Sequence, residues 1–331
     1  MVIAYNKKIG DILFVCLKDE QKGQEAVICP SLGACLYELW LSPTGNSGQV
    51  HMPLRQIIDN DGILNVDDGN TAAGSRNIFY KSAILLPFPN RISGGRYTFA
   101  GVSYQLPTNE VGRGHALHGF LHCASFELSE CGSGDQEAFC CMKHVFEGLE
   151  TGYPFRFEVS VCYVLSLTKG LYCHTRVVSL NTGAMPLGVG WHPYFWAGNG
   201  QKIDTFRLQL PSPIGQITTA ANTLIPITDR VHTNNDWKQP AYLADTSFDT
   251  GFCLSNGAEN RVLLRFDDSF AVQLFMGRSY PFLQIYTPPH RQSIALEPMS
   301  CAADAFNNKW GLSVLESAGQ CWEGYWGIVA C

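Results

Sequence analysis

Charge is scarce in this chain. Of its 331 residues only 16% are Asp, Glu, Lys or Arg, against about 25% in an average soluble domain. Long solvated helices need more charge than that, so extensive buried sheet is expected. No run of Lys and Arg is long enough to track a phosphate backbone, and the net charge is −6. Both observations exclude a nucleic-acid partner. Nowhere do about 20 apolar residues follow one another, so no membrane-spanning helix is expected and a membrane is not an expected partner. Met1 to Val15 carries Lys7, Lys8 and Asp11 where a secretory leader would be apolar.

The 13 cysteines are odd in number and contain no C-x-x-C pair. The doublet Cys140-Cys141 has no partner at metal-ligand spacing. A reduced, cytoplasmic chain is expected, with cysteines mostly serving as small buried hydrophobes and no disulfide framework. Helix signals are also few. No window of a dozen residues carries a capped i, i+3, i+4, i+7 apolar stripe. Only Ser75 to Ile84 reads as a short helix and Ala302 to Asn307 as a turn. No linker, repeat or low-complexity tract divides the chain. One domain over residues 1–331 is expected, since all-β folds routinely exceed about 200 residues as one unit.

What the chain does have suits pleated sheets. Apolar residues make up 46%, aromatics 12%, and there are 32 glycines for turns. Tyr97 to Gln105 reads as a hairpin turning at Ala100-Gly101. Phe155 to Leu167 alternates apolar and polar residues, meets Lys169-Gly170, and resumes over Tyr172 to Ser179. Val262 to Phe266 and Ala271 to Phe275 flank Asp267-Asp268-Ser269, and Phe282 to Tyr286 and Ser293 to Leu296 give two more strands. Gln201 to Thr250 is more polar but holds strand-like pieces such as Phe206 to Leu210. Many short strands with frequent turns predict an all-β antiparallel sandwich or barrel.

Four clusters place titratable groups among prolines, glycines and aromatics, where burial is costly unless the groups are used or satisfied. Arg91 follows Asn90 between apolar residues; its fixed charge can hold sugar hydroxyls or serve a structural salt bridge. His115, His118 and His122 fall within eight residues. Gly119 argues against the helix that would bring them onto one face, and no H-E-x-x-H pattern occurs. No metal is therefore expected, and one functional histidine with two structural neighbours fits better. His192 lies in Gly188 to Trp196, GVGWHPYFW, where aromatic faces can stack on a sugar ring and the imidazole can move a proton. Glu297 ends the apolar strand Ile294 to Leu296. Desolvation there would make its carboxylate more basic, as a general base requires, unless an arginine such as Arg291 pairs with it. Asp249, in Ser247 to Thr250, is a further candidate.

In order, these clusters resemble the aldose 1-epimerase (galactose mutarotase) family. Asn90-Arg91 is similar to its N-R motif, Leu117-His118-Gly119 to its L-H-G, and His192-Pro193-Tyr194-Phe195 to its second histidine motif. Phe248-Asp249 resembles its substrate-binding aspartate segment and Glu297-Pro298 its C-terminal acidic motif. The resemblance runs from about Leu86 to Phe306 and is looser before that. It implies a large antiparallel β-sandwich, a supersandwich of the galactose mutarotase type, whose cleft binds a free hexose without any cofactor. It implies Glu297 as general base, His192 as general acid, and His118 assisting at the ring oxygen. Arg91, Asp249 and Asn90 would hold the substrate. A small sugar is the expected partner, and a homodimer is left open.

Three other readings compete. A hexose-phosphate epimerase on the same fold would need a cationic pocket from residues such as Arg76, Lys81 or Arg96. A non-catalytic carbohydrate-binding protein could lose either Glu297 or His192. A glycoside hydrolase would use Asp249 and Glu297 as its two carboxylates but leave both histidines without a role.

Overall fold

Alternation decides where the long strands lie. In the strand Phe157–Ser166 the residues Phe157, Val159, Val161, Tyr163 and Leu165 are buried, and those between them are half-buried. That period of two leaves one face of a sheet against a core. A computed structural model describes all residues except 43–54, 59, 61–76, 78, 151, 199, 212–213, 221–222, 234–235 and 255–256.

Among the described residues two large sheets dominate, and the strands within every sheet pair antiparallel. The first has nine strands in the order Glu127–Gly132, Glu137–Phe146, Phe157–Ser166, Gly170–Ser179, Cys321–Ala330, Ala271–Gly277, Glu259–Arg265, Arg207–Gln209, Ala241–Tyr242. The second runs Pro226–Thr233, Gly215–Thr219, Asp249–Cys253, Phe282–Tyr286, Ser293–Met299, Gly190–Trp191, Ile84–Leu85, with Tyr194–Trp196 also paired to Ser293–Met299. A separate five-stranded sheet covers the N-terminal region from Val2–Ile9 to Arg55–Gln56.

The two large sheets meet through Trp191, which is fully buried. Its ring packs on Tyr163 and Trp326 of the nine-stranded sheet, with centroids 5.9 and 5.6 Å away. Its indole N–H donates to Thr175 Oγ1 at 3.1 Å, so the polar edge of the ring is satisfied inside the core. The all-β antiparallel expectation holds. The hairpins read from sequence are present as Arg96–Phe99 with Val102–Gln105, Phe157–Ser166 with Gly170–Ser179, and Glu259–Arg265 with Ala271–Gly277. Strands of the polar stretch 201–250 join both large sheets. The short helix Ala305–Asn308 falls where a turn was expected.

Two expectations are corrected. The short helix over 75–84 does not form among its described residues: Phe79, Lys81 and Ser82 lie in turns and Ile84–Leu85 is a strand. Ser75, Arg76 and Ile78 lie outside the described residues. The Asn77 side chain accepts the Lys81 N–H at 2.8 Å and donates to the Lys81 carbonyl at 2.6 Å. It thereby offers the backbone a local alternative to helical bonds. The expectation of free thiols fails at one pair, because Cys141 and Cys162 form a disulfide. They face each other directly in the register of Glu137–Phe146 against Phe157–Ser166, a proximity invisible in a 21-residue spacing. Cys16, Cys29, Cys35, Cys140, Cys173 and Cys301 are buried free thiols as expected, whereas Cys131, Cys321 and Cys331 are exposed.

Candidate active site

Strand register assembles one wall of the site. Ser293–Met299 is buried along its whole length, with Ile294 and Leu296 turned to the main core. Period two then sends Ala295 and Glu297 to the opposite face. Across the ladder Glu297 faces Gln284, Ala295 faces Tyr286 and Tyr194, and Tyr286 faces Asp249. Asp249, Gln284, Tyr286, Glu297 and Tyr194 therefore share one sheet face although nearly 50 residues separate Asp249 from Glu297. Gly251 sits opposite Gln284, where a Cβ would come within 3.2 Å of Gln284 Oε1. The space it leaves is where the Gln284 amide runs to donate to Asp249 Oδ1 at 2.8 Å.

The histidines come from connecting segments. His192 follows the strand Gly190–Trp191, and its carbonyl accepts the Ser82 N–H at 2.9 Å. Its ring stacks on Tyr194 with centroids 4.7 Å apart. His118 and Gly119 both adopt left-handed backbone, φ 62° and 66°. Glycine is required at 119, because a Cβ there would stand 2.2 Å from the Leu86 carbonyl oxygen. This tight crossing carries His118 over the Asn90 backbone: the His118 N–H donates to Asn90 O at 3.0 Å, and the Asn90 N–H donates to His118 Nδ1 at 3.1 Å. With Nδ1 accepting, a neutral His118 carries its proton on Nε2.

These groups line a cleft of about 300 Å³ with Tyr80, Asn90, Arg91, Glu110 and Arg113, at the small end of the range for ligand sites. His192 Nε2 lies 3.3 Å from Glu297 Oε1, and both side chains are almost wholly buried, at 5% and 2% exposure. The His118 and His192 rings are 5.2 Å apart. Burial holds the Glu297 carboxyl well above its usual range; Asp249 pushes it further up and Arg91 opposes. Burial pushes His192 down to about 3, against the effect of a backbone hydrogen bond. His118 is held well below its ordinary value, first by burial and then by the charges of His192, Arg91 and His122. We therefore read the His192–Glu297 contact as a neutral pair, with the shared proton on the carboxyl, and not as an ion pair. His192 Nδ1 and Glu297 Oε2 have no protein hydrogen-bond partner among the described residues.

Every site residue expected from the sequence lines this cleft, and two of them also serve the local backbone: His118 through Nδ1, and Asn90 through Oδ1, which accepts the Arg91 N–H at 2.9 Å. Arg91 is both of the things its sequence context allowed: it lines the cleft and makes a buried salt bridge with Glu110. Of the neighbouring histidines, His115 Nδ1 accepts the Gly94 N–H at 3.1 Å, and His122 packs under Tyr80 at 4.5 Å. Arg291 does not pair with Glu297 but with Asp204 at 2.7 Å. Of the cations that would make a phosphate pocket, Lys81 and Arg96 do not line the cleft and Arg76 lies outside the described residues. Glu110, Gln284, Tyr286 and Tyr80 were missed. Glu110 sits in the polar stretch Thr108 to Gly114, which reads as a solvated loop, and Gln284 and Tyr286 read as ordinary strand positions.

His118, His192 and Glu297 each offer one donor atom, and the three lie within 4.8 Å of one another. Two histidines and a glutamate can bind zinc, whose ligands at about 2.0–2.2 Å stand roughly 3–3.5 Å apart. The 4.8 Å bound allows a wider spread than that, whereas His192 Nε2 and Glu297 Oε1, 3.3 Å apart, already stand close enough to pass a proton.

A family model described as aldose 1-epimerase matches residues 53–327. The chain belongs to that family. The uncharacterized Escherichia coli K12 protein YihR is 32% identical over 238 residues, 71% of this chain and 74% of that one. A second E. coli protein, uncharacterized YphB, is 35% identical over 113 residues, about a third of each chain. Among solved structures, a galactose mutarotase-like protein from Clostridium acetobutylicum superposes with a TM-score of 0.80 at 20% identity, over 100% of this chain and 98% of that one. Galactose 1-epimerase from Lactobacillus acidophilus gives 0.73 at 15% identity over 100% and 98%. At such identities these structures establish the fold, which is that of galactose mutarotase. In this aldose 1-epimerase family member no helix among the described residues is long and apolar enough to cross a membrane.

Proposed function

We propose that the protein is an aldose 1-epimerase that interconverts the α and β anomers of a free hexose without metal or nucleotide. The single observation that carries this reading is the His192–Glu297 pair, 3.3 Å apart at the base of a buried, polar cleft. Ring opening needs one proton removed from the anomeric hydroxyl and one delivered to the ring oxygen, and reclosure needs the reverse. A neutral carboxyl beside a neutral imidazole holds the same number of protons as a carboxylate beside an imidazolium. A bound sugar that hydrogen-bonds to the charged form therefore converts the pair without exchanging protons with water. Glu297 then takes the anomeric proton and His192 protonates the ring oxygen. Rotation about the C1–C2 bond and attack on the other carbonyl face give the opposite anomer.

His118 presents Nε2–H beside His192 and can hold the ring oxygen as charge develops there. Arg91, braced by Asn90, and Asp249, oriented by Gln284, hold hydroxyls farther round the ring. Tyr194 and Tyr80 supply aromatic surface. Each positioned acid or base contributes about 10²–10⁴ in rate.

Polarimetry of freshly dissolved α-D-glucose and α-D-galactose tests this. The wild type should speed the approach to anomeric equilibrium, and Glu297→Gln and His192→Asn should each lose at least about a hundredfold of that gain. A wild type matching the buffer rate on both sugars would remove free-hexose mutarotation from consideration.

A further inference from the structure

The carboxylate that holds Arg91 is the part of the cleft with no assigned purpose. Glu110 is largely buried, with 13% of its side chain exposed. It accepts from Arg91 Nε at 3.0 Å through Oε2 and from Arg91 Nη2 at 2.9 Å through Oε1. That is a two-point clamp on one edge of the guanidinium, a geometry that fixes a plane as well as a position. Arg113 Nη1 donates to the same Glu110 Oε1 at 2.8 Å from the rim. The loop bearing Glu110 is tied down in turn. Its N–H donates to the His115 carbonyl at 3.1 Å, its carbonyl accepts the Gly114 N–H at 2.7 Å, and Leu117 pairs with Arg91 in a two-residue ladder.

The opposite edge of Arg91 is left for the cleft. Nη1 makes only a long hydrogen bond, 3.4 Å, to Asn90 Oδ1, and Nη2 forms an ion pair with Asp249 Oδ2 at 3.6 Å, which is beyond hydrogen-bond distance. Arg91 and Asp249 thus face each other across a gap that a hydroxyl can bridge, accepting from the first and donating to the second.

We propose that Glu110 is a positioning residue: its clamp turns the free edge of Arg91 into the cleft and, by neutralising that cation, keeps Asp249 available to substrate. This rests on the reading of the cleft as a sugar site. Without the Glu110 charge, Asp249 is the next carboxylate within reach of Arg91, and the two substrate-holding groups would close on each other and compete with the sugar.

The test compares wild type, Glu110→Gln and Glu110→Asp in anomer-exchange kinetics, with ¹⁵N NMR of the Arg91 Nε–H as a second readout. In Glu110→Gln, KM should rise about tenfold, the effect of losing a charge-assisted contact, while kcat stays within about twofold because the proton-transferring pair is untouched. Glu110→Asp should fall between the two. The Arg91 Nε–H signal should be sharp and slowly exchanging in the wild type and broadened in Glu110→Gln. A merely structural role would lower thermal stability and the folded fraction and leave KM unchanged. An unchanged KM in Glu110→Gln, or a kcat that falls as much as KM rises, overturns the proposal. If the wild type shows no anomer exchange, the sugar reading fails, and the Nε–H comparison alone decides whether Glu110 holds Arg91: an equally sharp signal in both proteins refutes the clamp.

Discussion

The protonation state of the buried pair can be read from stability rather than activity, by substituting His192→Asn and measuring unfolding free energy against pH. Burial lowers the folded-state value of His192 to about 3, whereas the unfolded chain titrates near 6.5. A depressed folded value means that the contribution to stability is complete above about pH 6.5 and is lost as pH falls toward the folded value. At pH 8 neither state binds the proton. At pH 5 the unfolded imidazole is protonated about thirty to one while the folded one stays neutral, which costs the native state roughly 2 kcal/mol. The asparagine variant has no such group. Between pH 8 and 5 the wild type should therefore lose roughly 2 kcal/mol more than His192→Asn. Any constant penalty for the smaller side chain cancels, and His118 is present in both proteins. Urea unfolding followed by tryptophan fluorescence at pH 5, 6, 7 and 8 measures the difference. Repeating the comparison in a Glu297→Gln background removes the partner's own titration. A flat difference would mean that folding does not depress the His192 titration, and one in which the wild type gains as pH falls would mean an imidazolium paired with a Glu297 carboxylate; either result makes the neutral-pair argument wrong.

Two further predictions concern the histidine crossing and the donor trio. Gly119→Ala forces a Cβ to 2.2 Å from the Leu86 carbonyl at a left-handed φ; it should cost at least about 2 kcal/mol and lower activity by displacing the adjacent His118. Wild-type denaturation midpoints and rates would refute the crossing as described. Anomer exchange should survive exhaustive dialysis against EDTA; loss of activity restored by zinc would place an ion among His118, His192 and Glu297.

Which parts of this molecule could be read in the chain follows from the range of the interactions involved. Hairpins such as Arg96–Phe99 with Val102–Gln105 were legible because turn chemistry and period-two alternation act within a few residues. The clusters around Arg91, His118, His192, Asp249 and Glu297 were legible because each sets a titratable group in a local context of glycine, proline and aromatic residues, and because their order along the chain matches one family. The same local reasoning failed over 75–84, where one asparagine side chain competes with the helix. It also failed at Cys141 and Cys162, whose approach depends on strand register.

Sequence alone therefore determined the all-β class, the hairpins and the set of titratable residues that line the cleft. Tertiary structure decided what those residues are next to. It put Asp249, Gln284 and Glu297 on one sheet face, set Glu110 against Arg91, and buried His192 with Glu297 deeply enough to reverse the usual charge preference of both. The physical reason is that pairing register and desolvation belong to the packed chain: no local pattern states which strand will lie beside another, and a side chain's charge is set by how much water its neighbours exclude.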